Sequence, residues 1–130
     1  MRLPALALTL SALLLAACTP PPLPPAQTAK GRTDATITLP AQGAALKAKL
    51  QASSKATVQE GGWVELRIFA NEKQCTWDQV VRQGGMGPNF GVMLNCEADV
   101  PSGTPFTFRA EQVMKDAQTS EVVLEVAYTR

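Results

Sequence analysis

Histidine is missing from this chain of 130 residues, and aromatic residues make up only 5% of it. The first absence removes the commonest general base and the commonest metal ligand together. The second means that any core must be built mainly from Val, Leu, Ile and Ala. A surplus of charge is missing too: 12 Lys+Arg stand against 11 Asp+Glu, without the basic stripe that marks a nucleic-acid binder. The carboxylates show no DxD or ExxE clustering for metal or paired acid–base work. Ser53, Ser54, Ser102 and Ser120 lie in no nucleophile elbow. The expectation is a protein that is not an enzyme and takes no cofactor and no metal.

What is present begins at the N-terminus. Arg2 precedes an apolar run, Leu3–Leu15, ending in small residues. That is the build of a secretory signal peptide, too short for a permanent span of a ~30 Å hydrocarbon core. The run ends Leu15-Ala16-Ala17-Cys18, and here the chain resembles the bacterial lipoprotein family, whose lipobox has this Leu-small-small-Cys form. The resemblance implies cleavage before Cys18, acylation of the Cys18 thiol with a diacylglycerol, and usually an acylated amine, so membrane lipid is the implied partner. Two or three acyl chains, at ~0.8 kcal/mol per buried methylene, make a lasting anchor. Thr19, where the family's inner-membrane retention signal has Asp, favours an outer membrane in a cell that has one. The alternative is an ordinary secreted protein whose Cys18 follows two alanines.

Pro20, Pro21, Pro22, Pro24 and Pro25 then form a stretch that prefers polyproline II, and Gln27–Thr33 is polar. The division expected is a signal peptide over 1–17, a lipidated disordered tether over 18–33, and one folded domain over 34–130.

Within that domain the dominant hydrophobic period is two, the pattern of half-buried strands. Ala35/Ile37/Leu39, Val64/Leu66/Ile68, Phe90/Val92/Leu94/Cys96, Phe106/Phe108/Ala110 and Val122/Leu124/Val126/Tyr128 each alternate with polar or small residues. Ala44–Ala52 alternates as well, although Leu46 and Leu50 also suit a helix; it is read as a strand. Gly61-Gly62 reads as a turn and Pro101-Ser102-Gly103 as a hairpin connection. Thr76-Trp77-Asp78-Gln79 has the form of a capping box and predicts a two-turn helix ending at Gly84. The sum is an all-β fold, a small antiparallel β-sandwich of about seven strands. Over Val58–Ile68 the chain resembles the second-strand entry of immunoglobulin-like domains. Ile68 stands where antibody-type members have their first disulfide cysteine, so the resemblance is to the broad class.

With Cys18 acylated, Cys75 and Cys96 remain. In an exported chain that pair points to a structural disulfide worth ~3 kcal/mol in the chain-entropy model. Gly84–Gly91 holds four glycines, but it runs into Pro88 and a strand rather than a phosphate-binding Gly-Lys-Ser/Thr and helix. It reads as a mobile loop under the bridge, or as a recognition loop presenting Met86 and Asn89. Trp63 and Phe69 point away from the Val64/Leu66/Ile68 stripe; they either stack on sugar rings or cover the domain's own surface. Three functions stay open: a membrane-anchored sandwich that binds or stabilises an envelope component, an inhibitor or chaperone-like module acting through the 84–91 loop, and a carbohydrate or peptidoglycan binder using Trp63 and Phe69.

Overall fold

The computed structural model describes residues 22–130. The signal peptide expected over 1–17 and the acylation expected at Cys18 lie outside the described residues. Seven strands follow in order: β1 (Gln27–Gly31), β2 (Asp34–Leu39), β3 (Leu46–Ala70), β4 (Lys73–Val81), β5 (Asn89–Val100), β6 (Phe106–Thr119) and β7 (Val122–Thr129). All pairings are antiparallel. The class is the one expected, and the Ala44–Ala52 stretch is strand from Leu46 onward.

β3 organises everything else. Its first half pairs β5 on one side and β7 on the other, and β1 extends that layer beyond β7. Its second half pairs β4 and β6, and β2 extends that layer beyond β6. The strand passes from one layer to the other at Gly61-Gly62, so this pair bends the chain instead of reversing it. Gly61 has φ 81°, and a Cβ on Gly62 would stand 2.6 Å from the carbonyl oxygens of Lys115 and Asp116. Glycine is required at the first by conformation and at the second by close approach. With the halves of β3 counted separately, the strand orders are 1-8-3-6 and 2-7-4-5. That is the double Greek key of a jelly roll.

The sequence reading needs three further corrections. Gln27–Gly31, expected in a disordered tether, is β1, held to Val122–Val126. Its polar composition misled because an edge strand over a formed sheet needs few apolar side chains of its own. Residues 76–81, expected to be helical, belong to β4, because pairing with Trp63–Ile68 outweighs a local cap signal. Pro101-Ser102-Gly103 joins β5 to β6, which lie in different layers and do not pair, so it is an arch between layers. The tight hairpin is elsewhere, at Asn71-Glu72, both with positive φ (50° and 68°), as a two-residue primed turn demands.

The inward stripes meet as a single core. Ala48, Leu50, Ala52 and Val58 of β3, with Leu124 and Val126 beside them on β7, meet Val64, Leu66 and Ile68 of the same strand and Phe108 of β6 in one core. Small Ala positions on β3 sit opposite the Phe106–Phe108–Tyr128 aromatic group, whose rings are 5.1 and 6.1 Å apart. That alternation lets two layers close around a core with few aromatics.

Candidate functional site

The second layer turns a broad face outward. Side chains on β3 alternate, so burial of Val64, Leu66 and Ile68 forces Trp63, Glu65, Arg67 and Phe69 to the other side. Register then supplies their neighbours: Val81, Gln79 and Trp77 from β4, and Lys115, Val113, Glu111 and Arg109 from β6. Trp77 stands opposite Arg67 and is 53% exposed. The sequence reading missed it, because a helical 76–81 gave no reason to place Trp77 beside Trp63. Strand alternation through Val80 and Val81 was the signal that could have found it.

The arginines of this face are held in ion pairs. The Arg67 guanidinium contacts the Glu65 carboxylate, and Glu65 is only 9% exposed. Arg109 donates to Glu111 Oε2 at 2.8 Å, reaches Glu72 at 3.7 Å, and lies 4.3 Å over the centre of the Phe69 ring. That cation–π contact occupies one face of Phe69. Of the two aromatics singled out from sequence, Trp63 is half-buried on the face, and Phe69 serves in part as a seat for Arg109.

Met86 and Asn89 stand apart from this face, at one end of the sandwich. Met86 is 42% exposed. Thr57 Oγ1 donates to Asn89 Oδ1 at 3.2 Å. The 84–91 loop is not free. Arg82 Nη1 donates to Val58 O at 3.0 Å and its Nε to Met86 O at 3.3 Å. Backbone bonds run from Val58 N to Pro88 O, Gly61 N to Arg82 O and Arg82 N to Gly62 O. One arginine thus fastens the loop to the bend of β3. Beside it, Lys55–Thr57, Asn89–Gly91 and Gln118–Ser120 line a shallow hollow of about 580 Å³.

Cys75 and Cys96 form a disulfide with Cα atoms 6.3 Å apart, joining β4 of one layer to β5 of the other. Both cysteines are half-buried against the core. At the opposite end of the sandwich, Pro22 packs by Gln42–Leu46 and Arg130. The N-terminal segment therefore meets the domain at the end away from the Arg82 loop. β3 rises from Leu46 to Thr57 between the two ends, about 36 Å at ~3.3 Å per residue. Among the described residues no three or more His, Cys, Asp or Glu gather in a way that could hold a metal ion.

No protein-family model matches this chain, and no curated protein matches its sequence. Solved structures match in fold. A region of dimeric latent PorU from Porphyromonas gingivalis is similar over 80% of this chain, with TM-score 0.59 and 14% identity; the chain spans 12% of the PorU chain. The C-terminal CBM6 of LamC, a marine laminarinase from Zobellia galactanivorans, aligns with TM-score 0.38 and 9% identity over 76% of this chain and 98% of that one. The VP2 protein of infectious bursal disease virus aligns with TM-score 0.39 and 8% identity, over 79% of this chain and 31% of that one. At such identities the likeness to PorU is one of fold, and the other two are weaker still.

Proposed function

We propose that this chain is a lipid-anchored envelope protein whose jelly roll binds another envelope component, without catalysis, through the outer face of its second layer. The anchor rests on the Leu15–Cys18 lipobox resemblance. The binding surface rests on one observation: both tryptophans of the chain, Trp63 and Trp77, stand on the same outward sheet face, and Trp77 is half exposed. Large aromatic area left in water is costly unless a partner covers it, and Trp and Arg are the side chains that most often carry binding energy. The absence of catalysis is argued from the lack of any histidine and from the pairing of Glu65 and Glu111 with arginines, which leaves neither carboxylate poised as a free base.

An anchor at Cys18, just upstream of Pro22, attaches the membrane to the Gln42–Leu46 end. The tryptophan face then stands upright beside the membrane, open to a partner approaching from the side.

Two measurements test this. Palmitate labelling in cells should be present in the wild type and lost in Cys18→Ser. A photoreactive amino acid at position 77 should crosslink to an envelope component, whereas one at position 47, on the outer face of the first layer, should not. Equal crosslinking from both positions, or none from 77, rules out this face.

A further inference from the structure

We infer that the occupant of the tryptophan face is an uncharged glycan strand, an inference that rests on this face being the binding surface. The arrangement of charge carries the argument. Three acids, Asp34, Glu65 and Glu111, balance three bases, Arg67, Arg109 and Lys115, at the outward register positions of β2, β3 and β6, and Glu72 of the β3–β4 turn, which Arg109 also reaches, adds one carboxylate, so the face has no surplus of positive charge. The central ones are already matched, Arg67 with Glu65 and Arg109 with Glu111. An ionic ligand on the middle of the face would have to break such a pair to find a counter-charge, and Lys115 and Asp34 stand outside the pairs at its margins.

The anatomy also differs from that of a protein-binding patch. Protein interfaces concentrate apolar side chains at the centre and leave charge to the rim. Here the two are interleaved. The Glu65–Arg67 pair lies between Val113 of β6 and Gln79 and Trp77 of β4, with Trp63 and Val81 in the row before it and Phe69 in the row after. Trp63 is opposite Val81 and Trp77 opposite Arg67, so the indoles are separated by four residues along the strands, about 13 Å.

A sugar chain fits that alternation. Its rings carry C–H faces that lie on an indole, and hydroxyl edges that both donate and accept. A guanidinium and a carboxylate locked together offer donors and acceptors side by side in fixed positions, as hydroxyls require. The separation of the indoles calls for several rings and not one. Among the described residues, hollows lie elsewhere, as where Lys55–Thr57 meet Asn89–Gly91 and Ser53–Lys55 meet Gly91–Met93. This face is a platform, suited to the side of an extended strand.

Tryptophan fluorescence of the detergent-solubilised full-length protein reads this face alone, since the chain's two tryptophans are both on it. Titration with chitotetraose, an uncharged tetrasaccharide, should give a saturable emission change, while tetragalacturonate of equal length gives none. Trp77→Ala, on an exposed edge-strand position and checked for fold by circular dichroism, should weaken the response at least tenfold, with Trp63 as the remaining reporter. Glu65→Gln leaves Arg67 without its counter-charge and should bring a response to tetragalacturonate. The inference is overturned if neither chitotetraose nor cellotetraose changes the emission, if Trp77→Ala binds as the wild type does, or if the wild type prefers the acidic sugar. Protein adducts from position 77 with no glycan response would remove the glycan and leave the face; no adducts at 77 would remove both.

Discussion

Ser54 donates its hydroxyl proton to Gln112 Oε1 at 2.7 Å, joining β3 to β6 across 58 residues of chain inside the sandwich. Gln112, only 3% exposed, donates in turn to the carbonyls of Arg32 and of Ser120, the latter at 3.0 Å, and its backbone N–H donates to Thr33 O at 2.8 Å. One amide side chain thus gathers the β1–β2 turn, the β6–β7 turn and the middle of β3. Every polar group it carries is satisfied, as a buried amide requires.

Gln112→Leu should therefore cost more than its loss of one contact. It leaves the Ser54 hydroxyl and two carbonyls without partners, about 3 kcal/mol at roughly 1–3 kcal/mol for each buried unsatisfied group. Ser54→Ala should cost about 1 kcal/mol. Urea unfolding of both variants checks the ratio, and equal losses would show that Gln112 is not the hub.

The disulfide ties the two layers at an edge where β4 and β5 have no other strand beyond them. Its sequence separation of 21 gives ~3 kcal/mol in the chain-entropy model. Reduction, or the Cys75→Ala/Cys96→Ala pair of substitutions, should lower the melting temperature by about 10 °C or more for a domain of this size. Two free thiols in the non-reduced, denatured protein would contradict the bridge.

Glycine positions separate by what surrounds them. Gly62→Ala brings a methyl group against the carbonyls of Lys115 and Asp116 and should destabilise by about 2 kcal/mol or more. Gly91 has nothing within 4 Å of where its Cβ would stand, so Gly91→Ala should be close to neutral. Thermal melts of the two variants, side by side, test whether β3 depends on that close approach.

Tyr128, the chain's one tyrosine, is buried against Phe108 and donates its phenolic proton to Gln27 Oε1 at 2.7 Å. Burial pushes its pKa from 10.0 up to about 12. The folded state therefore holds a proton that the unfolded state releases first. Its stabilising effect is complete below pH 10 and is lost as pH rises toward 12. Absorbance titration of the phenolate should show a midpoint well above 10, with stability falling over the same window. A midpoint near 10 would place the ring in water.

Much of this protein was legible without a structure. Period two across Asp34–Leu39, Val64–Ala70, Phe90–Cys96, Phe106–Ala110 and Val122–Tyr128 gave the strands and the inward residues, because alternation is a property of each strand alone. The direction of Trp63 and Phe69 followed from the same rule. The pairing of Cys75 with Cys96 followed from counting, once Cys18 was set aside.

Tertiary structure decided what depends on neighbours far along the chain. Gln27–Gly31 is a strand because β7 offers it an edge, and Lys73–Val81 is a strand because β3 pairs with it. Neither segment carries enough local preference to resist. Gly61-Gly62 bends one strand between two layers, since only the approach of Lys115 and Asp116 distinguishes a bend from a turn. The same pairing brings Trp77 beside Arg67 and places both tryptophans on one face. Register between strands is set by the packing of the whole sheet, and a strand's own sequence contains no record of what will lie opposite it.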